Sequence, residues 1–359
     1  MRKPIPDGAP IVVKVGSSSL AAAGGGIDAD AVDAVVELVS DCYSAGHPTV
    51  LVTSGAVAAG VPALRLQRRP ADLAGLQVAA AVGQGKLMEL YSAGFSERGR
   101  VAGQVLLTRD VLGNRDQYLN ARAALERMLG LGIVPVVNEN DTVAVEELRL
   151  GDNDRLAAMV SHLVSAGLLL ILTDTEGLFT TDPRLARGRL LETVTFSDPV
   201  LDRLSGAGPM GSGGVAGKVA AARMAAWSAV PTLIVSAKAP DLLRRVLAGE
   251  DVGTWVDPRP QKLAARKLWI AFGLASAGTV VVDGGAVAAL VERARSLLPV
   301  GVMEVRGSFP EGAAVDILSP DSALVAKGLV ALDSASLQSL AGQRGNREAV
   351  HRDDLVILV

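Results

Sequence analysis

A chain of 359 residues, 49% of them hydrophobic, is long enough for one large domain plus a small one and apolar enough to bury a substantial core. A net charge of -3 excludes a protein that binds nucleic acid through a general basic excess. The single cysteine, Cys42, excludes an internal disulfide and fits a reducing, cytoplasmic setting.

Read from the start, "MRKPIPDGAPIVVKVG" has no apolar stretch long enough for a signal peptide. It runs instead into a strand, "IVVKVG" (11–16), followed by the small-residue turn "SSS". Lys14 lies inside that strand. A buried lysine is costly without an anion nearby, so Lys14 is either a phosphate ligand or an edge-strand residue reaching solvent. Short residues after the strand let backbone N–H groups approach a phosphate closely, beginning with Gly16.

"DADAVDAVVELVSDCYSAG" has acids in its first turn and a glycine at its end, which predicts a helix. "TVLVTSG" (49–55) is the next strand. Its turn offers Ser54 and Gly55 either to a carboxylate or as the ordinary entry to a helix. "VAGQVLL" (101–107) predicts a strand, "YLNARAALERMLGLG" a helix, and "GIVPVV" (132–137) a further strand.

The stretch that follows, "NENDTVAVEELRLGDND", crowds short amides and carboxylates at a strand end. A site for an amino acid needs acceptors for its ammonium and donors for its carboxylate. The asparagines and aspartates of this stretch supply both on short arms. Asp152 or Asn153 could instead cap the following helix, which accounts for one residue and not the set. Asp154 is placed to orient lysines or to lie near a metal.

"LAAMVSHLVSAGLLLILT" (156–173) is uncharged over nearly the length of a membrane span. Ser161, His162 and Ser165 interrupt it and Gly167 divides it. It therefore reads as a helix and then a buried strand, "LLLILTD" (168–174), ending in Thr173 and Asp174.

"GPMGSGGVAGKVAAARM" (208–224) is not a P-loop. Ser212 stands where the first glycine should be, and Val219 follows Lys218 where Ser or Thr is required. A glycine-rich run entering a helix beside a lysine still binds phosphate through N–H groups, helix dipole and ammonium. "TLIVSA" (232–237) closes the series. Continuous apolar strands alternating with helices predict a largely parallel sheet covered on both faces, with ligands beyond the carboxyl ends of its strands.

The pattern changes near residue 257. We expect a catalytic domain over 1–257, a linker over 258–277 and a small β-rich domain over 278–359. "TVVVDGGAVAAL", "VGVMEVRGSF" and "GAAVDILSPDSALVAKGLVAL" read as short strands separated by turns. No general base is evident: His47, His162 and His351 read as structural. A carboxylate attacking ATP needs no base, because a Glu-type carboxyl with a pKa of about 4.3 is already ionised at neutral pH. Such a site has only to align its partners and neutralise charge.

Together "VVKVGSSSL", "VTSGAVAAG", "LLTRD", "YLNARAAL", "VPVVNENDTVA", "GDND", "LLTDTEGLFTTDPR" and "GSGGVAGK" resemble the amino-acid kinase superfamily, and within it the glutamate 5-kinase family. "ARKLWIAFG", "VVVDGGAVAAL", "SLLPVGV", "VRGSF" and "HRDDL" resemble the PUA domain that many of its members carry. The resemblance implies a three-layer α/β sandwich around an open, mostly parallel eight-stranded sheet, plus a C-terminal PUA pseudobarrel. It implies phosphorylation of the γ-carboxylate of L-glutamate by ATP with Mg2+, the first step of L-proline biosynthesis, and inhibition by L-proline at an overlapping site.

Carried over by residue, the resemblance makes Lys14, Asp154 and Lys218 catalytic. Ser54, Gly55, Asn138, Asp141 and Asn153 would bind the substrate. Lys14, Gly16, Thr173, Asp174, Ser212, Gly213, Gly214, Val215, Ala216, Gly217 and Lys218 would bind nucleotide. No metal-ligand set is assigned. The family's nucleotide loop usually has Met and Thr where this chain has Val215 and Gly217, so a hydroxyl contact before Lys218 is lost.

As partners the resemblance implies a homo-oligomer, dimer or tetramer, and functional coupling to glutamate-5-semialdehyde dehydrogenase, with no membrane. The PUA likeness raises RNA, but the tail is not strongly basic and lacks aromatics for base stacking. Three readings stay open beside this one: a superfamily kinase acting on acetylglutamate, aspartate, carbamate or a nucleotide, an RNA-binding protein working through its tail, and a pseudo-kinase.

Overall fold

Strands whose residues are buried on both faces need no polar alternation, and the apolar runs form such strands. The computed structural model describes residues 2, 4–22, 24–108, 111, 114–143, 153–181, 188–205, 214–345 and 347–358. These fall into two compact units that part between residues 262 and 263.

The first unit is built on β1 (Ile11–Val15), α1 (Ser17–Leu20), α2 (Ala29–Ser44), β2 (Thr49–Val52), α3 (Ala56–Ala63), α4 (Leu73–Glu97) and β3 (Ala102–Leu107). It continues through α5 (Arg115–Gly130), β4 (Val134–Glu139), α6 (Asn153–Leu163), β5 (Leu168–Thr173), β6 (Thr193–Thr195), α7 (Pro199–Ser205), α8 (Val215–Trp227), β7 (Thr232–Ser236), α9 (Leu242–Leu247) and β8 (Thr254–Asp257). The stretch that imitated a membrane span is thus α6 followed by β5. No helix among the described residues is long and apolar enough to cross a membrane.

The eight strands order as β3-β4-β2-β1-β5-β7-β8-β6. From β3 to β7 neighbours run parallel; β7 and β8 are antiparallel, and β6 returns parallel to β8. β1 is therefore central, flanked by β2 and β5, with Lys14 opposite Val52 on one side and Ile171 on the other. Lys14 is only 5% exposed, which rules out the edge-strand reading.

One face of the sheet packs α2 and α4 through Val13, Val35, Val36, Leu87, Tyr91, Phe95 and Leu170. The Asp28 side chain caps α2 by accepting from Asp30 and Ala31 N–H groups.

α3 and α4 cross at unusually short range. A Cβ added at Gly60 would lie 1.8 Å from the Ala79 carbonyl oxygen, and one at Gly83 1.8 Å from the Ala56 carbonyl oxygen. Only glycine permits this approach. It lays α4 directly beneath the turn that carries Ser54 and Gly55.

The second unit begins with α10 (Ala265–Leu268), which runs into a π-helical turn, Trp269–Gly273. Then come β9 (Gly278–Val282), α11 (Gly284–Val291), β10 (Val302–Arg306), β11 (Ala314–Leu318), β12 (Leu324–Val330), α12 (Ser334–Leu340) and β13 (Val350–Ile357). The strands form one five-stranded sheet, β10-β9-β11-β12-β13, over a core that includes Val280, Leu290, Phe309, Ile317 and Leu337. "GGAVAAL" is a helix and not the strand expected. Asp283 accepts from the Ala286 N–H and starts it, and its paired glycines fall in the first turn, where N–H groups have no intrahelical partner in any case.

Candidate functional site

The carboxyl end of β1 sits between the carboxyl ends of β2 and β5. The polar clusters gather there, as expected for an open α/β sheet. Lys14 Nζ lies 2.6 Å from Asp154 Oδ1, and Lys218 Nζ lies 3.9 Å from Asp154 Oδ2. Asp154 is 1% exposed and stands in the first turn of α6, where the helix dipole favours a carboxylate. A Cβ at Gly16 would come within 3.4 Å of Lys14 Nζ, so the glycine leaves room above the ammonium. Three residues from β1, α6 and α8, far apart in sequence, are thus joined through one carboxylate.

Beside this group lies a cavity of about 290 Å³. Its lining includes Ser54, Gly55, Asn138, Asp141 and Asn153, all five of the residues expected to bind substrate. Gly55 holds φ at 102°, a left-handed value open to glycine, and this turns the chain from β2 into α3. Asn153 Nδ2 donates to the Thr53 carbonyl at 2.5 Å, to Asn138 Oδ1 at 2.7 Å and to Ser54 Oγ at 3.1 Å. Thr53 is itself held from below by Tyr91, whose hydroxyl lies 2.8 Å from Thr53 Oγ1.

The cavity also takes Arg69 and Glu139 into its lining, neither of which the sequence singled out. Arg69 lies in the polar run "LQRRPAD", where nothing distinguishes it from a solvated arginine. Glu139 lies within "NEND", where it reads as one more polar residue at the strand end.

Thr173 and Asp174 end β5 and line a second, larger groove of about 920 Å³, together with Ser18, Ser19 and Lys238. Thr173 Oγ1 donates to Asp174 Oδ1 at 3.1 Å. Gly214 precedes α8, and Val215, Ala216, Gly217 and Lys218 form its first turn, so the helix starts three residues before the lysine. Ser212 and Gly213, like Asp152, lie outside the described residues.

The histidines lie elsewhere. His47 Nδ1 is 3.0 Å from the Ala9 carbonyl, and His162 Nε2 is 3.1 Å from the Tyr118 hydroxyl. Burial pushes the His162 imidazole down to about 4, with Lys262 and Arg122 adding to the shift.

Two ammonium groups on one buried carboxylate, next to an amide-lined cavity, make a site for a multiply charged anion beside a small polar ligand. The model of the amino acid kinase family matches residues 9–236, and that of the PUA domain matches residues 278–352. A protein named glutamate 5-kinase from Frankia casuarinae is 47% identical over 376 aligned residues, covering 100% of this chain and 99% of that protein. One of the same name from Pseudomonas putida is 44% identical over 361, covering 97% of each. Among solved structures, a UMP kinase from Bacillus anthracis aligns with a TM-score of 0.48 at 14% identity, over 69% of this chain and 96% of that one.

The chain belongs to the amino acid kinase family, in its glutamate 5-kinase group with a C-terminal PUA domain, and is an enzyme, a kinase. The expected fold, an open and mostly parallel eight-stranded sheet with a separate β-rich unit, is the fold observed.

Proposed function

We propose that the enzyme transfers the γ-phosphoryl group of ATP to the γ-carboxylate of L-glutamate, as the first step of L-proline biosynthesis. The observation that carries the reading is the adjacency of the Lys14–Asp154–Lys218 group to the cavity holding Ser54, Gly55, Asn138, Asp141 and Asn153. Glutamate lies in the cavity with its γ-carboxylate toward the lysines. Asn153 and Asp141 accept from its ammonium, and Ser54 with the turn at Gly55 donates to its α-carboxylate.

An oxygen of the γ-carboxylate attacks the γ-phosphorus in line. The new C–O–P bond forms as the bond to the β-phosphate oxygen breaks, giving γ-glutamyl phosphate and ADP. No proton has to be removed, because the attacking carboxylate is already ionised. Lys14 and Lys218 neutralise charge on the phosphoryl oxygens in passage, and Asp154 fixes both ammoniums before the substrates arrive.

Thr173, Asp174 and the run from Ser212 to Lys218 hold the nucleotide, the helix start at Val215 supplying N–H groups. Among the described residues no group of three His, Cys, Asp or Glu is placed to hold a metal ion. In this reading Mg2+ would come with the phosphates of ATP, as is common for that ion.

Inhibition by L-proline at the glutamate cavity, a homo-oligomer, a cytoplasmic setting and coupling to a glutamate-5-semialdehyde dehydrogenase complete the proposal. Each rests on likeness to the family.

The test is a hydroxylamine trap with Mg-ATP. L-Glutamate should give γ-glutamyl hydroxamate, and L-proline should suppress it. A signal from acetylglutamate or aspartate in place of glutamate would overturn the substrate while leaving the reaction class standing.

A further inference from the structure

Gln84 belongs to no motif, lines no cavity described above and stands inside α4. Yet it is 8% exposed, a polar side chain deep in the packing beneath the substrate cavity. Its Oε1 accepts from Asn138 Nδ2 at 2.7 Å. Its Nε2 is buried with no hydrogen-bond partner among the described residues. Buried amides are ordinarily satisfied, and one left with an idle donor calls for a reason.

The reason lies in the direction of the hydrogen bonds. Asn138 Oδ1 accepts from the Glu139 backbone N–H at 3.0 Å, and Asn153 Nδ2 donates to the Thr53 backbone carbonyl at 2.5 Å. A backbone N–H only donates and a backbone carbonyl only accepts, so neither end of this chain of amides can be reversed. Asn138 must present its oxygen to Glu139 and Asn153, which sends its Nδ2 toward α4. An acceptor has to meet it there. Gln84 Oε1 is that acceptor, and turning Gln84 over would set two donors face to face. The idle Nε2 is the cost of this orientation.

The far end of the chain is the functional one. With Nδ2 of Asn153 committed to Thr53, Asn138 and Ser54, its Oδ1 is the atom left to accept from a ligand, and Asn153 lines the cavity. We propose that Gln84 is a positioning residue: by accepting from Asn138 Nδ2 it holds Asn138 and Asn153 in the orientation the backbone groups dictate, and thereby holds in place the acceptor that selects ligands bearing an α-ammonium. This rests on the reading that the cavity takes an amino acid.

The experiment compares wild type, Gln84→Met and Gln84→Glu in the hydroxylamine assay with L-glutamate and with glutarate, which has the same two carboxylates and no ammonium. Methionine keeps the volume and removes the acceptor; glutamate keeps an acceptor oxygen at the same place. For Gln84→Met the KM for L-glutamate should rise about 10- to 100-fold, the scale of one hydrogen bond to a charged group, with kcat and the KM for ATP nearly unchanged. Preference for glutamate over glutarate should shrink by the same factor. Gln84→Glu should recover most of it. A folded Gln84→Met enzyme with wild-type KM and preference overturns the proposal, as does an equal loss in both variants.

A second measurement does not depend on turnover. In protein labelled with 15N-asparagine, the side-chain NH2 protons of Asn138 and Asn153 should be protected from exchange in wild type. They should lose that protection in Gln84→Met and keep it in Gln84→Glu. Wild type inactive with glutamate would refute the substrate while this result still decides the role of Gln84, and protection unchanged in Gln84→Met would refute the role even in an active enzyme.

Discussion

Gly83→Ala adds one methyl group to α4 and tests whether the α3–α4 crossing sets the geometry of the proposed glutamate cavity. That methyl carbon would lie 1.8 Å from the Ala56 carbonyl oxygen and 2.4 Å from the Gly60 backbone nitrogen. Both are backbone atoms, so no side chain can swing aside. To restore a 3.0 Å contact with the oxygen, α3 must retreat by roughly 1.2 Å. The segment that moves begins at Gly55, and Ser54 precedes it, so the retreat carries the turn proposed to bind the α-carboxylate away from Asn153. A misplacement of about 1 Å costs on the order of 100-fold in activity, and overpacking of this kind costs about 1–3 kcal/mol of stability. Steady-state kinetics on the purified variant should show the loss in kcat/KM for glutamate, with the KM for ATP within about twofold of wild type on the same reasoning. Thermal unfolding should show a Tm lowered by several degrees. If Gly83→Ala keeps both the wild-type Tm and the wild-type KM for glutamate, the close crossing is not what positions the turn.

Three further outcomes follow from the same geometry. Asp154→Asn strips Lys14 of its buried partner at 2.6 Å and should cost about 3–5 kcal/mol in denaturant unfolding, whereas the apolar pair Lys14→Met with Asp154→Leu should be far less destabilised and equally inactive. Lys218 sits farther from the carboxylate, at 3.9 Å, so Lys218→Ala should leave Tm nearly unchanged and lower kcat by about 100- to 1000-fold; near-normal turnover would remove it from the mechanism. His162 is held neutral by burial, its pKa down to about 4 from an ordinary 6.5. Between those values the unfolded chain binds the extra proton, so this contribution is complete above pH 6.5 and is lost as pH falls toward 4. It amounts to about 3 kcal/mol. Urea unfolding from pH 7 to pH 4 should therefore fall more steeply in wild type than in His162→Phe.

How far the sequence alone reveals this molecule depends on whether a feature leaves a local mark. The strands were legible because a strand buried on both faces must be apolar throughout, and "IVVKV" and "LLLILT" are, apart from Lys14 and the terminal threonine. The polar residues that line the smaller cavity were legible as a cluster because small polar side chains at strand ends have few structural uses in such numbers. Arrangement left no such mark. Nothing within 11–16 says that β1 is central, since strand order is a matter of long-range pairing; yet that order is what turns Lys14 from an ambiguous residue into a buried ammonium needing Asp154. The tail helix was misread for a related reason. Two glycines followed by Ala and Val look like a turn and a strand unless the Asp283 cap is given weight.

Gln84 marks the limit of reading residue by residue. Its neighbours Ala79, Ala80 and Gly83 announce a packed helix face, and on such a face one glutamine reads as a polar interruption. Its meaning depends on an amide fifty-four residues away, and that amide's polarity depends on a backbone N–H beside it. Small residues at the crossing and a polar residue next to them are two halves of one device. Gly83 brings α4 close enough to the β2 turn, and Gln84, the next residue, uses that closeness to place an acceptor under Asn138. The two substitutions should therefore not be independent. If α3 and its turn have already moved in Gly83→Ala, restoring or removing the Gln84 acceptor has less left to orient, and the double variant Gly83→Ala with Gln84→Met should lose less than the two single losses combined. Full additivity in kcat/KM for glutamate would mean that the crossing and the amide chain act on the site separately.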